Sequence, residues 1–390
     1  MSSQITVSDS RINLIRFKRQ RLLNISENTD LLGLLESIPS LPIFAGNSWL
    51  ALMARSSQIN KSWRIEQAKT MNLLCIEGIR FIISLIPRSQ FQLIIPCRAD
   101  YPDHILRGVE KLGISTKGLT DLEYEITGIL KKGPKSLNEI RHSIPEFKYI
   151  PWRTGAFARI VIPPSNLDFV LYRMQRRGLL IQIRDFTKLY DPTPRYAFAE
   201  QFGLGQKFTD KQTAREWLAK RYLHWYGPAS VYDFTWYIDC RLSDTKRLFD
   251  KLSLTQIVIK DHSDEPKYIL ESDIDDFIGP EPEHSDELIL LPMHDPLITG
   301  FRDKGGGFLK QPNLIQTRSG HLKPLVVRTG RILGTWELDI NTLRATPHWF
   351  DAPSQKDSSD FELQASKLSE FLSGFPDKPI RIPEVFTSNN

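Results

Sequence analysis

Cysteine is scarce in this sequence, and the three present, Cys75, Cys97 and Cys240, lie far apart among 390 residues. This spacing excludes a disulfide framework and a structural zinc site, and it is typical of a chain kept in a reducing cytoplasm. The longest apolar stretch, at residues 81–87, is far too short to span a bilayer, and residues 1–11 lack the apolar core of a signal peptide. We therefore expect a cytoplasmic protein that does not bind a membrane.

Signatures of metal, nucleotide and acyl chemistry are also missing. The eight histidines form no His-x-x-x-His pair, so we expect neither a metal nor another cofactor, and no Gly-x-Ser-x-Gly suggests acyl transfer. Asp273, Asp275 and Asp276 resemble the start of a calcium loop but lack its glycine and distal glutamate, which favours helix caps or solvated positions. The glycines at 305–307 lack the Gly-Lys-Ser/Thr ending of a phosphate loop, which predicts a flexible turn.

The charge is unevenly distributed along the chain. Hydrophobic residues make up 41% and charged residues 25%, as in globular proteins. The net charge of +5 divides into +10 for residues 1–200, with 28 basic and 18 acidic side chains, and −5 for residues 201–390, with 23 and 28. Such a split indicates an anionic partner for the first half, most commonly nucleic acid, although a solvated charged surface explains the charge alone equally well.

Residues 118–200 follow the order of a winged helix-turn-helix, with a helix, a short helix, a longer basic helix and a hairpin. Capping boxes at residues 120–123 and 136–139 are predicted to open the first two helices. Ser165 is predicted to cap the third helix, and Gly178 to end it. The predicted strands of the hairpin are residues 179–186 and 196–202.

The same order recurs at residues 209–278 in a different sequence. Thr209, Ser230 and Ser243 are the predicted first residues of its three helices, and Gly227-Pro228 separates the first two. The predicted strands are residues 254–260 and 266–271. Aromatic and basic residues interleave in the first helix, a pattern that is able to stack unpaired bases, but the helical spacing favours a core role for Trp217, Tyr222 and Trp225.

The flanking regions are less regular. Near the N-terminus, helices are predicted at residues 11–23, 30–38 and 48–58, and residues 79–86 predict a strand, although a buried helix fits almost as well. A third winged helix is one interpretation of this region. The last hundred residues predict strands at 288–292, 322–330 and 331–340, with a turn at Thr329-Gly330 and a final helix at 364–372.

These patterns together predict an α+β fold of tandem winged helix-turn-helix domains with a small C-terminal β-rich domain. The predicted boundaries are 1–115 for an N-terminal helical or winged-helix-like domain, 116–205 and 206–285 for two winged helices, and 286–390 for the β-rich domain.

The third helix of a winged helix usually lies in the major groove, and the planar fork of arginine bonds two acceptors on guanine or a phosphate. Arg173, Arg176 and Arg177 form the best such cluster, with Arg184 on the wing. The alternative is a protein-contacting winged helix whose arginines are simply solvated. The other candidates for contact with DNA are Arg16, Lys18, Arg19, Arg21, Arg55, Lys246 and Arg247.

Three stretches together resemble one bacterial winged-helix family. They are YLHWYGPASVYDFTWYI at 222–238, LILLPMHDPLITGFRD at 288–303 and VVRTGRILGTWEL at 326–338. They resemble, in the same order and spacing, the family's "YGPAT…DF…W", "LLP…D…G.RD" and "GR..GTW" segments. The family includes DNA glycosylases that unhook interstrand crosslinks and remove N7-alkylated purines. The resemblance implies tandem winged helices with a small C-terminal β domain.

The N-terminal half departs from that family at its catalytic motif. Active members resemble one another in a Gln-x-Gln or Gln-x-Asp motif, and the matching stretch WLALMARSSQ places Met53 and Arg55 there, with Gln58 out of register. The family's following "W..RGT.H" segment falls on LLCIEGIRF, which places Glu77 at the arginine and Phe81 at the histidine. If catalysis persists, the low-ranking candidates to position water are Glu77, Glu66 and Gln58.

The sequence therefore supports two main hypotheses and leaves enzymatic activity undecided. The first is a member of this family that binds double-stranded DNA, alkylated or crosslinked, as a monomer in the nucleoid, through phosphate contacts that do not read sequence. If active, it would hydrolyse the N-glycosidic bond of an N7-alkylated purine. The alternative is a non-catalytic regulator, or a lesion or self-resistance binder, on the same scaffold, which the residues at positions 53 and 55 favour. A protein-interaction module is a third reading that the basic half opposes.

Overall fold

The computed structural model describes residues 5–23, 30–43, 46–98, 110, 114–151, 165–260, 265–282, 286–303, 312–317 and 321–376. The fold is α+β, as expected. The glycines at 305–307 lie outside the described residues. None of the described helices is long and apolar enough to cross a membrane.

The N-terminal region contains more regular structure than its sequence predicts. The three expected helices and the strand at residues 83–87 are present, whereas the helix at 61–70, the strand at 73–77 and the helix at 91–97 were not predicted. The third helix ends at Met53, so the segment that carries Arg55 and Gln58 follows it as a loop. The elements are β1 (Ile5–Val7), α1 (Asp9–Arg19), α2 (Leu31–Ser37), β2 (Leu41–Pro42), α3 (Asn47–Met53), α4 (Lys61–Thr70), β3 (Leu73–Glu77), β4 (Ile83–Pro87) and α5 (Phe91–Cys97).

The next region has three helices and a hairpin in the expected order. Ser136 and Glu139 form the predicted capping box, and Ser165 accepts the predicted bond from the Asp168 amide. The predicted box at residues 120–123 was wrong because Ser115 caps the first helix one turn earlier, by accepting from the Gly118 amide. The elements are α6 (Thr116–Leu130), β5 (Lys135–Ser136), α7 (Leu137–Ser143), α8 (Asn166–Arg176), β6 (Leu180–Ile183) and β7 (Arg195–Phe198).

One sheet joins these two regions. Its six strands run in the order β2-β4-β3-β6-β7-β5, and the two regions meet at the antiparallel pair of Cys75 with Gln182. Strand pairing therefore crosses the predicted boundary at residue 115, and α8 also packs against β3 of the N-terminal region. The division into domains remains a prediction.

The third region repeats the order of three helices and a hairpin. Its first helix is capped by Asp210 rather than Thr209, and its third begins at Leu242 after Arg241, so Ser243 is not a cap. The Ser230–Asp233 capping box is present. Strand β1 pairs in parallel with the first strand of the hairpin, at residues 254–259, a long-range pairing that the sequence does not indicate. The elements are α9 (Lys211–Tyr226), α10 (Val231–Ile238), α11 (Leu242–Phe249), β8 (Leu254–Ile259), β9 (Lys267–Leu270) and α12 (Ile274–Ile278).

The C-terminal region is an antiparallel meander covered by a helix. Thr329 and Gly330 both have positive φ, 43° and 75°, which forms the predicted tight turn between two strands. The final helix begins nine residues before the prediction because Ser354 and Asp357 form a capping box that was not recognised. The elements are β10 (Leu288–Leu291), α13 (Pro296–Thr299), β11 (Leu325–Arg328), β12 (Arg331–Asp339), β13 (Arg344–Trp349) and α14 (Gln355–Ser373).

Helix α9 lies at the centre of the largest hydrophobic core. Tyr222, Trp225 and Tyr226 are fully buried, and the same core includes residues of α2, α3, α10, α14 and the C-terminal sheet. Tyr222 packs 4.7 Å from the Tyr237 ring and donates to the Gly300 carbonyl at 2.8 Å. The core role of Tyr222 and Trp225 is therefore confirmed, and their rings are not available to stack bases.

Candidate nucleic-acid interface

Arg55, at the second position of the expected catalytic motif, is an internal residue. Its guanidinium is fully buried and forms a two-pronged ion pair with Asp295, Nη2 to Oδ1 at 2.7 Å and Nη1 to Oδ2 at 2.9 Å. It also donates from Nε to the Gln20 carbonyl at 3.0 Å and from Nη1 to the Ala51 carbonyl at 2.8 Å. Arg55 thus connects α3 to the end of α1 and to the start of α13. The prediction that Arg55 contacts DNA was wrong, because its charge is already paired inside the protein.

The other motif position, Met53, is apolar and half-buried at the end of α3, where it packs against the main core. A thioether does not orient a water molecule as an amide or carboxylate does. Asp295, the partner of Arg55, also accepts from the Leu297 amide at 2.8 Å and so caps α13. Both motif positions therefore serve packing and connection of elements.

Glu77, the first carboxylate candidate, is sealed between two arginines. Its Oε2 lies 2.6 Å from Arg98 Nη1, its Oε1 lies 2.6 Å from Arg176 Nη1, and the side chain has no exposed surface. Burial raises the pKa of Glu77, and the charges of Arg98 and Arg176 oppose that rise. Arg98 also bonds to the Gln175 and Arg176 carbonyls. The group joins the end of β3 to the end of α8, so Glu77 does not face a ligand and Arg176 does not face DNA.

Glu66 and Gln58 remain exposed. Glu66 lies on α4 with its side chain toward solvent, and Gln58 lies in the loop between α3 and α4. Phe81, at the family's histidine position, follows Arg80, whose φ of 58° is in the left-handed region that non-glycine residues rarely adopt. Arg80 packs over the Trp236 ring at 3.6 Å.

The basic cluster of α1 is mostly internal. Arg16 is buried, donates from Nε to the Tyr226 carbonyl at 3.1 Å, and burial lowers its pKa to about 10. Arg19 is buried and pairs with Asp273 at 3.1 Å and with Asp276 at 2.9 Å. The prediction that Arg16 and Arg19 contact DNA was therefore wrong.

The two remaining basic residues of this cluster are near the surface. Lys18 is half exposed but lies 3.0 Å from Asp276, and Arg21 donates to the Asp30 carbonyl at 3.3 Å. Asp273 and Asp276 thus bind the cations of α1, in addition to opening α12. The expectation that these aspartates only cap a helix or face solvent was incomplete. Asp276 also pairs with Arg19, which lies some 260 residues away in the sequence.

The third helices of the two repeated units carry further predicted DNA-binding cations that face solvent. On α8 and at its end, Arg173 and Arg177 are respectively partly and half exposed, and both approach Glu123 of α6. On α11, Lys246 and Arg247 are exposed. Arg184 stabilises the first hairpin by donating to Gln182 Oε1 at 2.6 Å.

Comparison with known proteins supplies the identity of this scaffold. A sequence model of one family, described as "DNA glycosylase AlkZ-like", matches residues 45–371. The chain belongs to the AlkZ-like DNA glycosylase family. The solved structure of Streptomyces sahachiroi DNA glycosylase AlkZ is similar to it, with a TM-score of 0.74, 17% sequence identity, and coverage of 97% of this chain and all of that one. No curated protein sequence matches significantly.

Within this AlkZ-like chain, the described residues offer no metal site. No group of three or more histidine, cysteine, aspartate or glutamate side chains among them is arranged to hold an ion. His294 and His321 approach each other, with Nε2 3.3 Å from Nδ1, but no third such side chain among the described residues joins them in an arrangement that could hold an ion. The AlkZ-like fold here therefore presents solvent-facing cations and two exposed polar side chains, Glu66 and Gln58, as its candidates for function.

Proposed function

We propose that this AlkZ-like protein binds duplex DNA through two winged helices, at residues 116–205 and 206–285, and lacks the family's water-positioning pair. The observation that carries the proposal is the buried Arg55–Asp295 ion pair at the motif position. Family membership supports DNA as the ligand, because glycosylases act on bases in DNA. We also propose that the protein acts as a monomer on nucleoid DNA in the cytoplasm, and that it binds alkylated or crosslinked duplexes in preference to unmodified ones.

The distribution of exposed charge supports the DNA-binding part. Each of the two units has three helices followed by a hairpin, and the third helix of each presents cations to solvent, Arg173 and Arg177 in one and Lys246 and Arg247 in the other. Cations of this kind neutralise phosphates and release counterions, which produces affinity without reading the base sequence. Such a mode suits a protein that scans duplex DNA.

The chemistry of the N-glycosidic bond supports the non-catalytic part. An N7-alkylated purine is already a cationic leaving group, so an enzyme must chiefly position a water molecule and stabilise the developing positive charge on the sugar. Met53 has no group that holds water in place. Arg55 carries a charge of the wrong sign and is buried against Asp295.

Glycosylase activity with a relocated water-binding group is the second candidate function. It is supported by Glu66, whose carboxylate is exposed on α4, the helix that follows the motif. Gln58 is exposed in the same part of the chain and offers an amide.

Affinity for duplex DNA as a function of salt tests the binding proposal. We expect the logarithm of the affinity to fall steeply with the logarithm of salt concentration, and the Arg173→Gln/Arg177→Gln variant to bind more weakly with a slope reduced by about two. The matched control is Arg331→Gln/Arg344→Gln, which removes two exposed arginines from the C-terminal sheet and should leave the affinity unchanged. A flat salt dependence would overturn the proposal.

A strand-break assay separates the two functions. A duplex with N7-methylguanine is incubated with excess protein and then treated with alkali, which cleaves at abasic sites. We expect no more breaks than in the protein-free reaction. Breaks that disappear in Glu66→Gln or Gln58→Ala would instead establish the second candidate function.

A further inference from the structure

A basic cavity lies between α9 and α11, away from the expected catalytic motif at Met53 and Arg55. Its volume is about 500 Å³, and four of its lining side chains are cationic, namely Lys211, Arg215, Arg247 and Lys251. Asp244 is the one carboxylate among the lining residues, which leaves an excess of three positive charges. A cavity of this size is within the range of ligand sites and is too large for a single phosphate without the groups attached to it.

The cations lie at two depths. Arg215, on α9, is largely buried, donates from Nε to the Cys97 carbonyl at 3.3 Å and lies 4.0 Å from Asp244. Arg247, on α11, is 76% exposed at the rim and lies 2.6 Å from the same carboxylate. Asp244 therefore lies between a deep guanidinium from α9 and a shallow guanidinium from α11. Lys211 and Lys251 add exposed ammonium groups at the ends of the two helices.

We propose that this cavity binds a backbone phosphodiester of duplex DNA together with its adjoining sugar. The inference rests on the proposed DNA binding and deepens it, because it adds Lys211, Arg215 and Lys251 to the contact surface of the second unit. Guanidinium forks bond two oxygens of a phosphate at once, whereas ammonium groups supply charge at the rim. The contact fixes the position of the duplex and does not read its sequence.

Cys240 provides a reporter inside the cavity. Its half-buried thiol lines the wall and lies 3.1 Å from Thr245 Oγ1. The other two cysteines are fully buried, so the reagent does not reach them. Burial raises the pKa of Cys240 as well as those of Cys75 and Cys97, so access and not thiol pKa distinguishes the three. Alkylation of the native protein therefore reports on Cys240 alone.

The test measures the rate of Cys240 alkylation by iodoacetamide, a neutral reagent, with and without a saturating 25-base-pair duplex. Binding of the same duplex is followed in parallel by fluorescence anisotropy. We expect the duplex to slow alkylation by at least fivefold, and pyrophosphate to slow it less. Duplex that binds while the alkylation rate stays unchanged would overturn the cavity assignment and leave DNA binding intact.

The remaining outcomes are also decisive. If the duplex does not bind, the proposed function fails. Protection by pyrophosphate alone would then assign the cavity to a free phosphate compound, and protection by neither would overturn the assignment altogether. As an independent measurement, Arg247→Gln/Lys251→Gln should weaken duplex binding about tenfold and reduce the salt slope by about two. Arg331→Gln/Arg344→Gln is again the control, and equal effects of the two variants would contradict a local site.

Discussion

The ion pair at the motif position makes a prediction about stability that a catalytic residue would not. Arg55→Met leaves the Asp295 carboxylate buried with only the Leu297 amide as a described donor, because both guanidinium bonds are lost. Removing one partner of a fully buried pair costs about 3–5 kcal/mol, since the remaining charge is neither solvated nor neutralised. We expect Arg55→Met to lower the free energy of unfolding by that amount.

The double variant Arg55→Met/Asp295→Asn separates the ion pair from simple packing. Methionine fills irregular space and asparagine still accepts from the Leu297 amide, so we expect about half of the lost stability to return. The coupling energy between the two positions equals this returned stability plus the cost of Asp295→Asn alone, so it should exceed about 2 kcal/mol. Urea unfolding followed by tryptophan fluorescence and by far-UV circular dichroism measures it.

Two controls distinguish loss of the buried ion pair from a general effect of removing a cation. Lys18→Met breaks an exposed ion pair with Asp276 and should change the stability by less than about 1 kcal/mol. At a temperature where Arg55→Met is folded, its affinity for duplex DNA should match that of the unmodified protein, because Arg55 has no exposed surface. A cost below about 1 kcal/mol for Arg55→Met, or a double variant as unstable as the sum of the singles, would refute the reasoning.

Three further perturbations test other parts of the structure. Glu77→Ala leaves two buried arginines without their shared carboxylate, so urea unfolding should show a loss of at least about 3 kcal/mol. Burial alone would raise the pKa of Asp233, but Lys267 and the Ser230 cap hold that pKa below its ordinary 3.8. The stability that the Asp233 carboxylate contributes is therefore present above pH 3.8 and is lost as the pH falls through the lowered pKa. Asp233→Asn should flatten the acid limb of a curve of stability against pH. Gly300→Ala places a methyl group against the Tyr226 ring, closer than atoms pack, and thermal unfolding should show a loss of about 1–3 kcal/mol from overpacking.

Caps and periodicity were the most informative local signals. The Ser136 and Ser230 boxes and the Ser165 cap form where the sequence predicts them, because a side chain and an amide three residues apart need no distant partner. The errors at Thr120 and Thr209 arose because Ser115 and Asp210 cap those helices instead, and Ser243 lies inside the first turn of a helix that has no side-chain cap. The unrecognised β3 (LLCIE) and α5 (FQLIIPC) are mostly apolar and short, so neither shows a period that distinguishes a strand from a helix.

Side-chain burial was where prediction from the sequence failed. Basic runs on α1 and α8 have the composition of a surface, yet Arg16, Arg19 and Arg176 are buried. Each bonds to a carbonyl or a carboxylate contributed by a distant part of the chain. The net charge of the first half is therefore a poor count of the cations available to DNA.

The sequence by itself determined the α+β class, the order of helices and hairpins and, through three motif segments, the resemblance to a glycosylase family. Those properties depend on residues close together in the chain. Only the tertiary structure decided that Arg55 is paired with a carboxylate 240 residues away, that β1 completes a distant sheet, and that four cations surround one cavity. The physical reason is that the cost of burying a charge is offset only by a partner brought to it by the fold, and that partner leaves no trace in local sequence.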